Sequence, residues 1–304
     1  MTSSPLTFTW PHHDRVAERR TDDAWLVEQW ASPDSRVLIV DGPTLAVEPA
    51  TGHLRWASPP RLPDGLASAD RYLLGVDEHG RAVFAVSVDV VDGATDLRGL
   101  RELALTEGAP DLQWACHAVA LAQWHRAHRH CPRCGAATEV SAAGAERRCP
   151  VDGSTHFPRV DPAVIVLVTD QHDRALLGRQ ESWPVGRFST LAGFVEPGES
   201  AEQAVVREVA EESGVVVEQV RILATQPWPF PSSLMIGASA TTSSSPEPRP
   251  DGVELAEVRW FSRDELRAGI EDGTVLVPGT ISISRWLIQR WFGTDLPDGE
   301  VGWR

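Results

Sequence analysis

Runs of apolar residues along the chain predict a mixture of strands and helices. Residues 163–168 are all apolar, and because the run is too short for a helix it predicts a buried strand. Residues 36–40 and 72–76 predict further strands in the N-terminal part. The stretch 114–124 is helical in character, with Cys116 expected to be buried in it, and a last helix is expected over 278–292.

One helix is predicted between residues 200 and 214. Ser200 can cap its first turn, Gln203 completes a capping box, and Gly214 is a natural C-terminal stop. At about 100° per residue, apolar and acidic positions fall on different sides of this helix. We therefore expect an apolar side to pack inward, formed by Val205, Val206, Val209 and Ala210, and an acidic side to face outward, formed by Glu208, Glu211 and Glu212.

The acidic side of this helix needs compensating charge. Glu208 and Glu212 lie one turn apart, and like charges at this spacing destabilise a helix by roughly 0.2–0.5 kcal/mol. Arg207 is the basic side chain near enough along the sequence to offset them. The acidic side is then either a solvated surface or a site for a hard divalent cation such as Mg²⁺, which takes carboxylate and phosphate oxygens as ligands.

The wider spacing favours the metal site. Gly193 is followed after five residues by Glu199, and after seven more by Arg207-Glu208, Val, any residue, Glu211-Glu212, any residue, Gly214 and Val215. This pattern resembles the box of the Nudix hydrolases, metal-dependent enzymes that cleave a nucleoside diphosphate linked to another group. The chain has no Walker loop, Gly-x-Ser-x-Gly elbow or Gly-x-Gly-x-x-Gly turn.

The resemblance implies a role for each charged residue of the box. Glu208 and Glu212 would hold Mg²⁺ or Mn²⁺ together with the backbone carbonyl of Ala192. Glu211 would bind a second ion or activate the attacking water, and Arg207 would orient the carboxylates through charge-assisted hydrogen bonds. A metal on the diphosphate lowers the pKa of bound water, so the reaction needs no covalent nucleophile.

A strip of alternating prolines and aromatics begins ten residues beyond the box. Such a strip is rigid and extended, and it either packs as a stabilising corner or offers flat faces for stacking on a base. It resembles the specificity motif of the NADH pyrophosphatase branch of Nudix enzymes, with Thr225 replacing the first Ser. The resemblance implies substrate contacts by Gln226, Pro227, Trp228, Pro229, Phe230, Pro231, Ser232 and Ser233.

The same branch implies further site residues outside these two motifs. Glu254 matches its fourth metal-binding glutamate, and Glu257 is the alternative if the alignment slips by one turn. Phe194 matches a stacking residue, and the position of Phe157 is occupied in relatives by an aromatic that reaches across a dimer. By context, Arg101 and the backbone of Ser282 match groups that approach the substrate.

The cysteines predict a second metal site. Cys131-Pro-Arg-Cys134 is followed after fourteen residues by Cys149-Pro-Val-Asp152, which is the spacing of a zinc ribbon with Asp in the fourth position. Asp152 can bind zinc through oxygen, and His156, seven residues past Cys149, is the alternative ligand. The other interpretations are a redox Cys-x-x-Cys pair or a knuckle that keeps its shape without metal.

Composition sets the remaining limits. The chain has 304 residues, enough for more than one domain, and it has neither an apolar stretch of about 18 residues nor a secretory signal, so no membrane span and a cytoplasmic location are expected. The net charge of −15 argues against binding nucleic acid mainly through phosphates. One basic patch, which either balances the acidic surface or guides a nucleotide or RNA 5′ end, comprises His125, Arg126, His128, Arg129, His130, Arg133, Arg147 and Arg148.

Together these features predict an α+β protein in four parts: an N-terminal α+β domain over 1–125, a zinc-ribbon-like knuckle over 126–156, a Nudix α/β/α sandwich over 157–293 and a tail over 294–304. Residues 241–250, rich in Ser and Pro, are expected to form a mobile loop.

The implied function is hydrolysis of the pyrophosphate of NADH or NAD⁺ to nicotinamide mononucleotide and AMP by a homodimer. One alternative is removal of NAD caps from RNA 5′ ends by the same chemistry. The other is a Nudix-fold sensor that binds nucleotide without turnover, against which the intact box counts.

Overall fold

The computed structural model describes residues 6–9, 13–62, 66, 70–88, 96–107 and 109–297. These residues form two compact units. One takes in residues 161–228 and 233 onward, and the other takes in residues 7–160 together with 229–232.

The unit that carries the box is built on one mixed sheet. Its elements are β10 (Asp161–Thr169), β11 (Ala175–Gln180), β12 (Leu191–Phe194), α4 (Ala201–Ser213), β13 (Glu218–Trp228), β14 (Ser233–Thr241), β15 (Leu255–Phe261), α5 (Arg263–Glu271) and α6 (Ile283–Phe292). The strand order is β13-β14-β10-β11-β15, and β12 pairs with β10. Strand β10 runs parallel to β14 and antiparallel to β11 and β12.

Strand β10 lies at the centre of this sheet and is buried, as its apolar run predicts. Its side chains alternate between two cores, as the period of a strand requires. Val164, Val166 and Val168 pack with the apolar residues of α4, whereas Ile165 and Leu167 pack with those of α5 and α6. Helices therefore cover both faces, and the predicted α/β/α sandwich is confirmed.

Helix α4 has the predicted ends. Ser200 accepts from the N–H of Gln203 in a complete capping box, and Gly214 closes the helix in the left-handed conformation with φ of 69°.

The predicted outward orientation of the acidic side of α4 holds for Glu211, which is exposed, and is wrong for Glu208 and Glu212. Glu208 and Glu212 are buried, whereas Val206 and Ala210 are exposed. The reason is angular, because Glu208 and Glu212 lie only about 60° and about 20° around the helix from the packed Val205 and so share its face. The buried residues are Ala204, Val205, Glu208, Val209, Glu212 and Ser213.

The other unit contains a six-stranded sheet and a three-stranded ribbon. Its elements are α1 (Asp23–Ala31), β1 (Arg36–Asp41), β2 (Thr44–Ala46), β3 (Trp56–Ala57), β4 (Arg71–Val76), β5 (Ala82–Ser87), β6 (Leu97–Gly99), α2 (Leu100–Leu103), α3 (Ala109–Ala127), β7 (Glu139–Ser141), β8 (Glu146–Arg148) and β9 (Thr155–His156). The large sheet has the order β4-β5-β1-β2-β6 with β3 beside β1, and the ribbon is β7-β8-β9. Strands β1 and β4 confirm the two predicted N-terminal strands.

Three other expectations can be compared with these elements. Cys116 lies buried on α3, as predicted. The last helix ends at Phe292 as predicted but begins only at Ile283, because Ser282 caps it. Among the described residues, no helix has the length and apolar character needed to cross a membrane.

The segment 241–250, which the sequence predicts to be a mobile loop, is hydrogen-bonded to distant parts of its unit. The backbone N–H of Arg249 donates to the Ser213 carbonyl, and the indole of Trp260 donates to the Pro246 carbonyl, both at 2.9 Å. These partners come from distant elements and leave no periodic signal in the local sequence.

Candidate active site

Two of the three carboxylates on the box helix, those of Glu208 and Glu211, are hydrogen-bonded to one guanidinium group. Nη1 of Arg207 donates to Oε1 of Glu208 at 2.9 Å and to Oε2 of Glu211 at 3.0 Å. Its Nη2 donates to the backbone carbonyl of Phe194 at 2.9 Å. Arg207 thereby ties α4 to the end of β12.

Glu199 is the strongest partner of Arg207, and the sequence prediction gave it no role beyond its place in the spacing. Its two carboxylate oxygens accept from Nε and Nη2 of Arg207 at 2.7 and 2.9 Å, which is the bidentate geometry that adds directional specificity. This pairing holds the pKa of Glu199 low, at about 2, and the N–H of Glu196 acts in the same direction. Glu199 therefore fixes the loop in front of the helix.

Gly193 is required by the position of Glu208. A Cβ atom added to Gly193 would lie 1.9 Å from Cδ of Glu208, far inside van der Waals contact. Because the glycine has no side chain, the carboxylate can rest directly on the backbone of β12.

The third box carboxylate, that of Glu212, is the most deeply buried. Its residue is 5% exposed, and among the described residues Oε2 has no hydrogen-bond partner. Burial, together with the charges of Glu208, Glu254 and Asp251, raises the pKa of Glu212 to about 8, against a hydrogen bond from the N–H of Ala192. Burial also raises the pKa of Glu208. Carboxylates with an unpartnered buried oxygen fit a divalent cation, which would supply the missing charge.

Glu254 and Glu257 lie in different surroundings. The carboxylate of Asp251 accepts from the N–H groups of Val253, Glu254 and Leu255 at 2.9 to 3.2 Å in a short turn. Glu254 is near enough to the box for its charge to raise the pKa of both Glu208 and Glu212. Glu257 instead pairs with Arg179 at 3.5 Å. Glu254 is therefore the better placed of the two alternatives.

A cavity of about 170 Å³ is lined on one side by Glu212. Of the residues predicted from the sequence, it brings together Ala192, Glu212, Gln226, Trp228 and Ser282. The sequence prediction missed its other polar lining residues, Gln180, Ser189, Thr190 and Ser284. Ser284 leaves no pattern in the sequence, because its partners lie more than ninety positions away.

The proline and aromatic strip is divided between the two units. Pro227 and Trp228 end β13, where they pair with Leu234 and Ser233 of β14. Residues 229–232 belong to the other unit. There the carbonyl of Pro229 accepts from Nε2 of Gln123 at 2.8 Å.

In that unit the Arg101 guanidinium lies 4.4 Å from the centre of the Phe230 ring, so two predicted substrate residues contact each other. Phe157 and Phe194, the predicted aromatic contacts, are 68% and 59% exposed.

The predicted zinc ligands form one cluster. The ligand atoms of Cys131, Cys134, Cys149 and Asp152 all lie within 4.8 Å of one another. Oδ2 of Asp152 is 3.4 Å from Sγ of Cys131, while its Oδ1 accepts from the backbone N–H of Ser154 at 2.9 Å. Hydrogen bonds from Ser154 lower the pKa of Asp152 and of Cys131, so both groups favour the anionic form that binds metal.

His156, the alternative zinc ligand, has another partner. Its Nε2 lies 3.1 Å from Oγ of Ser154, which is itself hydrogen-bonded to Oδ1 of Asp152. The imidazole thus supports Asp152 from one step away.

Comparison with known proteins agrees with this geometry. Residues 159–277 match the NUDIX domain, and residues 126–157 match the NADH pyrophosphatase zinc ribbon domain. The NAD-capped RNA hydrolase NudC of Mycobacterium bovis (strain BCG / Pasteur 1173P2) is 40% identical over 294 residues, which is 91% of this chain and 92% of the relative. The chain belongs to the Nudix hydrolase family.

A second relative matches a smaller part of this Nudix hydrolase. The NAD-capped RNA hydrolase NUDT12 of Homo sapiens is 43% identical over 180 residues, which is 55% of this chain and 39% of that protein. The match to the zinc ribbon domain also places the chain in the NADH pyrophosphatase branch, as its motifs indicate, and with the cysteine cluster it supports structural zinc.

The basic patch of this Nudix hydrolase separates into structural and exposed residues. His125 and Arg147 are buried and hydrogen-bonded to each other at 3.1 Å, and Arg126 pairs with Asp41 at 3.0 Å. Arg126 is nevertheless exposed, as are His128, Arg129, His130, Arg133 and Arg148.

Proposed function

We propose that this protein hydrolyses the pyrophosphate bond of NADH and NAD⁺ to nicotinamide mononucleotide and AMP. The observation that carries the proposal is the buried Glu212 carboxylate, which has an unpartnered oxygen, adjoins the cavity and experiences the charges of Glu208 and Glu254. A fold that buries several like charges together needs a cation there, and a diphosphate is the ligand that shares such a cation.

In this proposal Glu208, Glu212, Glu254 and the carbonyl of Ala192 hold Mg²⁺ or Mn²⁺. When bound there, such an ion would supply the charge that neutralises the diphosphate and makes phosphorus more electrophilic. Water adds its oxygen to one phosphorus, the bridging P–O bond breaks, and its electron pair leaves with the other phosphate. Glu211, whose side chain is 61% exposed and oriented by Arg207, accepts the proton that the water loses.

The selectivity for a nicotinamide dinucleotide is assigned to the strip and its neighbours. Trp228 adjoins the cavity, and the segment from Pro229 to Ser233 continues from it along the chain. Phe157, Phe194 and Arg101 are proposed as further substrate contacts. Two of these residues are exposed aromatics, which fits the predicted homodimer in which Phe157 reaches a partner.

NAD-capped RNA is a second proposed substrate. The relatives that match most of this chain are named NAD-capped RNA hydrolases. Three exposed arginines near the zinc cluster, Arg129, Arg133 and Arg148, provide local positive charge for RNA phosphates on an otherwise acidic protein. The pyrophosphate is the same, so the chemistry does not change.

We further propose that one zinc ion binds Cys131, Cys134, Cys149 and Asp152. The ion would stabilise the fold of the ribbon, because a segment this small has little hydrophobic core of its own. We also propose that the parts of the chain meet at residues 126, 157 and 294, where the ribbon, the Nudix domain and the tail begin.

Product analysis tests the proposed function directly. Purified protein is incubated with NADH and with NAD-capped RNA in the presence of Mg²⁺ or Mn²⁺, and the products are separated chromatographically. We expect nicotinamide mononucleotide and AMP, or 5′-monophosphate RNA. Binding of NADH without any product would instead support the sensor, and Glu212→Gln provides the control for contaminating hydrolases.

A further inference from the structure

The first turn of α6 is held from two sides by buried polar side chains. Gln226 on β13 is fully buried; its Nε2 donates to the carbonyl of Ile281 at 2.8 Å, and its Oε1 accepts from the N–H of Ile283 at 2.9 Å. From the other side, Oγ of Ser284 accepts from the backbone N–H of Thr190 at 3.2 Å. These two residues are called the α6 clamp below.

The clamp provides hydrogen-bond partners for backbone groups at the start of α6 that have none within the helix. The first N–H groups of a helix have no partner within it, and leaving them buried without one is costly. Ser282 caps the N–H of Ser284 at 3.2 Å, and Gln226 takes the N–H of Ile283. Gln226 also takes the carbonyl of Ile281, so a single amide fixes both ends of this short segment.

The fixed segment is part of the proposed site. Ser282 and Ile283 line the same cavity as Glu212 and Ala192. Thr190, the anchor of Ser284, precedes β12, the strand that carries Ala192. The clamp therefore sets the distance between the α6 wall of the cavity and the strand proposed to bind metal.

We infer that Gln226 is a positioning residue, which acts on substrate binding through the backbone of Ile281 and Ile283. The sequence resemblance implies a substrate contact for Gln226, whereas its amide is hydrogen-bonded at both ends to the α6 segment. Ser284 has the same role from the opposite side. The inference rests on the proposed hydrolysis of NADH.

The test compares Gln226→Met, Ser284→Ala and the double variant with the wild type. KM and kcat for NADH are measured well below the unfolding temperature, with Gln171→Met, an exposed glutamine in a turn, as the matched control. We expect each clamp variant to raise KM about tenfold with kcat changed less than about threefold, because a displaced wall weakens ground state and transition state alike. A merely stabilising residue would lower the unfolding temperature and leave KM unchanged.

The double variant separates positioning from direct contact. If both residues hold the same turn, the double variant should lose much less than the product of the two single losses. The inference would be overturned if the loss in the double variant equalled the product of the two single losses. It would also be overturned if Gln226→Met were folded and had an unchanged KM.

Failure of the proposed function has a different signature. A wild type that does not cleave NADH defeats the function, and hydrogen exchange then tests the clamp alone. Amides 281–286 should exchange faster in Gln226→Met than in Gln171→Met, and equal exchange would overturn the clamp.

Discussion

The carboxylate of Glu208 rests on the backbone of Gly193, in the space where any other residue would place its Cβ. We expect Gly193→Ala to push Glu208 out of the site and to lower kcat by at least about a hundredfold. The measurement is steady-state hydrolysis of NADH with metal titrated in parallel. Gly99→Ala is the matched control, because Gly99, like Gly193, has no positive φ and an added Cβ there meets no atom within 4 Å.

The box carboxylates should be essential for turnover and not for folding. Glu211→Gln and Glu212→Gln keep the side-chain shape, so activity should fall by orders of magnitude while the unfolding temperature of metal-free protein does not drop. In Glu212→Gln it should rise slightly, because burial and the neighbouring carboxylates raise the pKa of Glu212 at a cost in stability that a neutral amide does not have. Near-normal rates in both variants would contradict the metal site.

The zinc cluster should contain close to one zinc per chain by metal analysis. Asp152→Cys should slow zinc loss to a chelator, because a thiolate binds zinc more strongly than a carboxylate does. Ser154→Ala should speed the loss about tenfold or more, since outer partners orient a ligating carboxylate. In the Asp152→Cys background the same Ser154→Ala change should have little effect. Equal acceleration in both backgrounds would contradict Asp152 as the ligand that Ser154 supports.

We expect the free energy of unfolding to fall in acid, because the buried His125 must then take up a proton. Burial lowers the pKa of His125 to about 4 from its ordinary 6.5, and the Arg147 charge acts in the same direction, against the Gly144 carbonyl and Asp70. Because the folded pKa lies below the unfolded one, this contribution is complete above pH 6.5 and is lost as the pH falls toward 4, amounting to roughly 3 kcal/mol.

The measurement for His125 is the free energy of unfolding between pH 4 and 7. His125→Gln should flatten the slope of this profile, and His172→Gln, at an exposed turn, should not. An unchanged slope in the His125 variant would refute the assignment.

Trp228 should favour NADH over ADP-ribose. The two substrates share the ADP half and the diphosphate, and only NADH carries nicotinamide. Stacking of a base on an aromatic ring contributes about 1–3 kcal/mol, so Trp228→Ala should lower kcat/KM for NADH roughly ten- to a hundredfold and that for ADP-ribose much less. Equal losses on both substrates would show that Trp228 serves the fold or the shared half.

Local sequence predicted those features whose causes are local. The ends of α4 follow from Ser200, Gln203 and Gly214 within one chain segment, and the burial of β10 follows from its own apolar run. The burial of Glu208 could not be read in this way, because hydrophobicity alone assigns a carboxylate to solvent. It depends on Gly193, a residue on another element that leaves room for the group.

The clamp residues and the anchored segment 241–250 show the same limit. Gln226 finds its partners fifty-five and fifty-seven positions away, and Ser245 finds Asp170 at a separation of seventy-five. No periodicity or motif reports contacts at such distances, and they become visible only when the strands are in register.

Arg207 contributes positive charge to the site at all times. It holds Glu199, Glu208 and Glu211 and the carbonyl of Phe194 simultaneously, by contacts that involve no metal. The carboxylates that Arg207 holds therefore need not separate when a divalent ion leaves the site. At the proposed metal site, an ion would then enter between carboxylates that are already in place, either alone or bound to the diphosphate.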